Sequence, residues 1–208
     1  MNFNKVEFER SFGLSSQLPD STGLEFVFAG RSNAGKSSLL NKIFNRKSLA
    51  RVSSMPGKTA TINFYRCENV RLVDLPGYGY AKVAHGERRR WDELIGGYFG
   101  QSRDIALVFL LMDMRHSPSK DDLTMVNYLI DSEMPFIIIL TKADKLSKKQ
   151  REERFEAFKT ELPCGKDIAM IPFSSVTGEG AEEVCGIISD ISEPEDDQES
   201  EEQSIIIE

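Results

Sequence analysis

The residues Gly30-Arg31-Ser32-Asn33-Ala34-Gly35-Lys36-Ser37 lie between an apolar segment, Leu24–Ala29, and Ser38–Phe44, whose apolar spacing is helical. Gly30 and Gly35 let the backbone turn tightly, so that several N–H groups face one concavity. That nest and the helix N-terminus attract anionic phosphate oxygens. In this G-x-x-x-x-G-K-[ST] pattern Lys36 reaches the β- and γ-phosphates, and the Ser37 hydroxyl takes one place on Mg²⁺. Asp74-Leu75-Pro76-Gly77 ends a second apolar segment, Val70–Val73. A carboxylate at a strand tip can hold Mg²⁺ through water, and the Gly77 N–H can contact the γ-phosphate. Between these motifs runs a polar stretch, Ser53–Lys58, followed by Thr59-Ala60-Thr61. The Thr59 hydroxyl is the expected second protein ligand of Mg²⁺, with Thr61 as its competitor. Gly57, Lys58, Ala60 and Thr61 join it along the nucleotide. Lys36 and Thr59 are the expected catalytic pair.

Base choice falls to Thr141-Lys142-Ala143-Asp144, directly after the apolar Phe136–Leu140. The Asp144 carboxylate can accept from guanine N1–H and the 2-amino group. Adenine offers neither donor and would leave a desolvated carboxylate unpaired, at a cost of several kcal/mol. Lys142 is expected to cover the base with its aliphatic stem. Phe173-Ser174-Ser175 would add backbone contacts to guanine O6. Together these segments predict GTP and GDP as ligands.

The elements that must position these groups alternate regularly. Strands are expected near 24–29, 62–67, 70–74, 105–112, 135–140 and 168–173. Helices fall near 36–45, 87–99, 118–132, 147–161 and 179–191, the third capped by Ser117 with Pro118 in its first turn. Every phosphate or base motif sits at the C-terminal end of a strand, where ligands bind in doubly wound sheets. The expected fold is α/β: a Ras-like P-loop GTPase domain with a mostly parallel six-stranded sheet and helices on both faces. Residues 1–23 read as a leader whose Phe3, Phe8 and Phe12 pack on the domain edge, 24–192 as the GTPase domain and 193–208 as a tail.

The chain has 208 residues, 40% of them hydrophobic, enough for one sizeable core. Its three cysteines show no metal-type spacing and, without a signal-peptide pattern, point to free thiols in a reducing cytosol. No apolar run approaches the roughly 20 residues that span a bilayer. The formal charge of −7 is unevenly placed. Eight acids and no base fall in 193–208, so 26 bases meet 33 − 8 = 25 acids elsewhere, a body near +1. Such a tail is expected to be disordered. Its Ile205–Ile207 end is either a docking motif or a frayed terminus. Positive charge gathers near the presumed switches: Lys42, Arg46, Lys47, Arg51, Lys58, Lys82 and Arg88–Arg90, then Trp91. That face could meet RNA phosphates or be an ordinary solvated helix face over a core tryptophan.

With these motifs in hand, the chain resembles the EngB (YsxC) group of bacterial GTPases, within the TrmE-Era-EngA-EngB-Septin-like class. The resemblance covers about residues 3–191. It rests on Gly30–Asn41, Gly57-Lys58-Thr59, Asp74-Leu75-Pro76-Gly77-Tyr78-Gly79-Tyr80-Ala81, Arg90-Trp91, Asp113-Met114-Arg115-His116-Ser117-Pro118 and Thr141–Asp144. It implies a cytoplasmic monomer acting in assembly of the large ribosomal subunit, with pre-ribosomal particles or ribosomal RNA as partner and no membrane.

Two departures shape the expected mechanism. Many Ras-like switches place a glutamine after D-x-x-G to orient the attacking water. Tyr78 stands there and has no amide, so free turnover should be slow, and a partner or a monovalent cation would have to raise it. Asn33 resembles the residue that helps bind potassium in related cation-stimulated GTPases; an Asn tolerating a strained loop is the competing reading. Thr141 also replaces the Asn more often seen first in its motif. His85 and His116 are not expected to be catalysts, His116 instead shaping the loop before the third helix. A nucleotide-gated binding protein with incidental turnover, acting in cell division or another process, is the alternative function. A small-molecule P-loop kinase is disfavoured by Asp144 and by the lack of an arginine-rich lid.

Overall fold

The computed structural model describes residues 1–50, 60–79 and 85–193, and for 85–91 the backbone alone. Gly57, Lys58, Thr59, Arg51, Lys82, the side chains of His85, Arg88–Arg90 and Trp91, and the tail after Glu193 therefore lie outside the described residues.

Seven strands form one sheet in the order β1-β3-β4-β2-β5-β6-β7. They are β1 (Glu7–Phe12), β2 (Glu25–Gly30), β3 (Ile62–Cys67), β4 (Val70–Asp74), β5 (Ile105–Asp113), β6 (Phe136–Thr141) and β7 (Met170–Pro172). The β4-β2-β5-β6-β7 ladders are parallel, whereas β3 pairs antiparallel with both β1 and β4. The helices are α1 (Lys36–Ile43), α2 (His85–Phe99), α3 (Lys120–Asp131), α4 (Lys148–Glu161) and α5 (Ala181–Ser192).

The central strands read as unbroken apolar runs because both faces are covered. Along β5, Val108, Leu110 and Met112 enter one core with Leu94 and Tyr98 of α2, Val126 of α3 and Phe158 of α4. Leu107, Phe109 and Leu111 alternate into the other, with Leu39 and Leu40 of α1 and Val184 and Ile188 of α5. Helices thus lie on both faces of the sheet, as expected.

The seventh strand, β1, comes from the segment read as a leader. Its alternation is broken by a bulge between Phe8 and Arg10. Without it, Phe8 and Phe12 would share a face. With it, Phe8, still 49% exposed, stands edge-on at 5.7 Å to Tyr65 of the α1/α5 core, and the half-buried Phe12 edge-on at 5.7 Å to Phe64 of the opposite core. Phe3 packs beside the α1/α5 core.

A second correction concerns α3. Its cap is Ser119, not Ser117: the Ser119 side chain accepts from the Asp122 N–H, and the Asp122 carboxylate accepts from the Ser119 N–H. This reciprocal box satisfies two donors, which outweighs the Ser-Pro start two residues earlier.

Charged groups also cross the core. Glu25 is fully buried, and both its carboxylate oxygens accept from Arg103, at 2.7 and 2.8 Å, while the Tyr98 hydroxyl donates at 2.7 Å. Arg71 makes a paired contact to Glu9 of β1 at 2.9 and 3.1 Å and donates to the Asp20 carbonyl at 2.8 Å. The N-terminal segment is therefore fastened to the sheet by ions as well as by rings.

Candidate nucleotide site

The strand tips of β2, β4, β5 and β6 bring four distant segments to one edge of the sheet. The phosphate loop leaves β2 at Gly30, where a Cβ would come within 2.8 Å of the Leu111 carbonyl. Asn33 adopts φ 65° and Gly35 φ 99°, left-handed values that turn the chain into α1. Arg31 and Asn33 are exposed, Ser32 and Ser37 half-buried, and Ala34 buried. Asp74-Leu75-Pro76-Gly77 runs alongside this loop. A Cβ on Gly77 would lie 2.9 Å from the Ser32 backbone, which only glycine permits.

Lys36 and Asp74 form an ion pair at the centre. The other Asp74 oxygen accepts from the Asn63 amide at 3.2 Å, and the Thr61 hydroxyl donates to the Asn63 carbonyl oxygen at 3.2 Å. Thr61 thus touches the metal-type carboxylate through Asn63. Ala60 is half-buried beside it.

The base-side motif is braced against the phosphate loop. The buried Thr141 hydroxyl lies 2.6 Å from the Ala34 carbonyl and 3.1 Å from that of Met112. Lys142, at φ 61°, sends its ammonium to the Asn33 carbonyl at 2.9 Å and to Asp113 at 2.8 Å. Buried Ala143 donates its N–H to the Phe173 carbonyl at 3.1 Å. Asp144 accepts from the Ser174 hydroxyl at 2.8 Å and pairs with Lys145 at 3.2 Å. The Ser174 oxygen in turn accepts from the Val176 and Thr177 N–H groups, both at 3.1 Å. That donation from Ser174 is the main reason the Asp144 carboxyl sits below the ordinary aspartate value. An ionised acceptor is what guanine's two donors require. Ser175 is exposed, next to this loop, with Phe173 buried beneath.

Tyr78 behaves unlike a catalytic group. Its N–H donates to the Gly30 carbonyl at 3.3 Å and its carbonyl accepts from the Ser32 N–H at 2.8 Å, so its backbone is stitched to the phosphate loop. Its ring is buried, and its hydroxyl donates to Asp122 at 2.8 Å. Burial and the adjacent carboxylate push the phenol well above its ordinary range. His116 is exposed and contributes its carbonyl to Arg154 of α4 at 2.9 Å, which pins the loop between β5 and α3.

Sequence reasoning missed four contributors: Asn63, Asp113, Asp122 and the Ser174 side chain. Only Asp113, an acid at the C-terminal tip of an apolar strand, carried a signal that could have been read alone.

The 50S ribosome-binding GTPase family model matches residues 25–142. A probable GTP-binding protein EngB of Lachnoclostridium phytofermentans is 44% identical over 94% of this chain and 98% of its own. One from Geobacillus sp. is 45% identical over 88% of this chain and 95% of its own. The chain belongs to the EngB family of P-loop GTPases. It is a GTP-binding protein of that class. A crystal structure of a probable EngB superposes with TM-score 0.65 at 24% identity, covering 80% of this chain and 97% of that one. Aquifex aeolicus Era bound to GDP·AlF₄⁻ gives TM-score 0.62 at 16% identity, over 84% of this chain and 59% of that one; both share the fold. Among the described residues no helix is long and apolar enough to cross a membrane.

Proposed function

We propose that this chain is a slow, Mg²⁺-dependent GTPase that acts as a nucleotide-dependent switch in assembly of the large ribosomal subunit. In this reading it is a cytoplasmic monomer whose partner is a pre-ribosomal particle or its RNA. The GTPase domain, read as 24–192, takes β1 of the leader as the edge strand of its sheet and is followed by the acidic tail. The match to the 50S ribosome-binding GTPase family supports the partner. The observation that carries the slow turnover is Tyr78: the position expected to orient water holds a ring turned into the core onto Asp122.

The donor set fits a hard divalent cation. The Asp74 carboxylate and the Ser37 hydroxyl stand at the phosphate loop, and among the described residues no cluster of three or more His, Cys, Asp or Glu offers an all-protein site. Mg²⁺ characteristically binds through few protein oxygens together with substrate phosphates and water. Ser37 and Thr59 would hold it directly and Asp74 through water; when bound, it neutralises charge on the β- and γ-phosphates. Nucleotide phosphates would draw the Lys36 ammonium away from Asp74, exchanging one ion pair for another and freeing the carboxylate. Thr141 and Lys142 keep the phosphate loop and the base loop in fixed relation during that exchange. Asp144, kept ionised by Ser174, selects guanine. Gly57 to Thr61 would order against the γ-phosphate and relax on its loss, which is the switch. Potassium at Asn33 would add charge near the phosphates.

Co-sedimentation with ribosomal subunits tests the reading. Binding should be stronger with a non-hydrolysable GTP analogue than with GDP and should weaken as salt rises, because phosphate contacts release counterions. Glu at Arg88, Arg89 and Arg90 should reduce it with nucleotide affinity nearly intact, and deletion of 193–208 should tighten it. Equal sedimentation in both nucleotide states would refute the switch. The same buried Tyr78 favours a second reading, a nucleotide-gated binder with incidental turnover. That reading predicts hydrolysis unchanged by ribosomal particles, whereas the first predicts acceleration.

A further inference from the structure

We propose that Asp113 is a positioning residue for the base side of the nucleotide site, acting through Lys142. The inference rests on the reading of Lys142 and Asp144 as guanine-binding residues. Asp113 ends β5 and stands in register with Thr141 at the end of β6, so it lies beside the residue that precedes Lys142. Lys142 has two acceptors for its ammonium, the Asn33 carbonyl in the phosphate loop and Asp113 Oδ2. Its backbone is in the base loop and its head group at the phosphate loop, so its methylenes span the gap between them. A purine seated between those loops would face that stem. With Asp113 gone, one acceptor remains for a half-exposed lysine, whose stem could then swing into solvent.

The carboxylate is itself oriented for the task. Arg115 donates from Nε to Oδ1 at 2.9 Å, from its terminal nitrogen to Oδ2 at 2.8 Å and from its N–H to Oδ1 at 3.1 Å. Burial raises the Asp113 carboxyl, but the hydrogen bonds from Arg115 and Lys142 outweigh it and hold the group well below the ordinary range. Asp113 therefore meets Lys142 as a fixed anion. An arginine clamp leaves a carboxylate little freedom to rotate away, which matters more here than the strength of one partly exposed pair.

The test is dissociation of a fluorescent N-methylanthraniloyl GDP from the full chain, followed in a double-mutant cycle. Asp113→Asn should speed release by about three- to tenfold, the loss expected for one charge-assisted contact. In a Lys142→Met background the same change should add less than about twofold, since coupled residues lose their effect together. The IDP analogue should be lost by the same factor, because the stem packs a ring face and reads no edge. Arg115→Ala, at an exposed site, repeats the cycle if Asp113→Asn folds poorly: acceleration in the parent and none beside Lys142→Met is expected. No acceleration, equal acceleration in both backgrounds, or a changed GDP:IDP ratio would overturn the proposal. If Lys142→Met and Asp144→Asn themselves leave release unchanged, the base-site reading fails instead.

Discussion

The Tyr78 hydroxyl donates to the Asp122 carboxylate across 2.8 Å of buried space, joining the end of the D-x-x-G segment to the first turn of α3. Asp122 also caps that helix through Ser119, so one carboxylate serves the helix start and the phosphate-site rim. This fixes what a glutamine at that position could do. Tyr78→Gln should not restore fast hydrolysis in single-turnover measurements, because the backbone aims the side chain at α3. Tyr78→Phe should cost about 1–3 kcal/mol in chemical denaturation, the penalty for a buried acceptor left short of a donor. A tenfold faster Tyr78→Gln variant would place this side chain at the attacking water after all.

Guanine selection is expected to follow the Asp144 carboxylate. Asp144→Asn replaces an acceptor with a mixed donor and acceptor, so GTP should weaken and xanthosine triphosphate should gain. Unchanged GTP affinity in that variant would remove Asp144 from the base site.

A pH profile separates Ser174 from a passive neighbour. Its hydroxyl lowers the Asp144 carboxyl below the ordinary 3.8. A depressed carboxyl pKa contributes above its ordinary value and is lost as pH falls through the folded value. The Asp144 contribution, read as the GDP:IDP affinity ratio so that the phosphate ionisation common to both ligands cancels, should therefore stay flat from neutral pH down to about pH 5. Ser174→Ala should weaken binding at neutral pH by about three- to tenfold and move the acid limb upward. An acid limb that stays in place would assign Ser174 to loop shape alone.

The phosphate loop and the D-x-x-G turn were legible in the sequence because each role is set within a few residues: a glycine where a Cβ would strike backbone, a lysine at the head of a helix. The β1 strand was not, since its bulge inverts the facing of Phe8 and Phe12 and erases the period of two. Asp122 was hidden because its second duty depends on Tyr78, far away in sequence. Asp113 and Lys142 meet only through the β5–β6 register. The same holds for Glu25, a charge in an otherwise apolar strand whose partners come from α2 and from the segment between α2 and β5. Local motifs announce themselves, whereas contacts made by register or by tertiary closure need the fold.

That buried cluster makes a stability prediction. The Arg103 side chain is 1% exposed and that of Glu25 fully buried, with the guanidinium also 4.7 Å over the Tyr98 ring. Arg103→Met alone should cost about 3 kcal/mol in urea denaturation, because it leaves the buried carboxylate with only the Tyr98 hydroxyl and the Arg71 guanidinium, 3.8 Å away. Adding Glu25→Leu should recover a large part of that loss. A double variant no more stable than Arg103→Met would show that packing on Tyr98, not charge pairing, dominates.

Asn33 offers two explanations that a pair of substitutions can divide. Its left-handed φ of 65° suits Asn for backbone reasons alone, and its carbonyl is already engaged by Lys142. As a potassium ligand it would act through its side chain, which is exposed at the phosphate loop. Basal hydrolysis should rise when potassium replaces sodium at equal ionic strength. Asn33→Gly keeps the backbone conformation and removes the side chain; Asn33→Ala removes the side chain and adds strain. If the side chain holds the cation, both variants should lose the potassium gain, while only Asn33→Ala should also weaken GDP binding through the strained loop. Retention of the gain in Asn33→Gly would leave Asn33 a purely conformational residue. Equal parent rates in the two salts would remove the cation from the mechanism and leave a partner to complete the site.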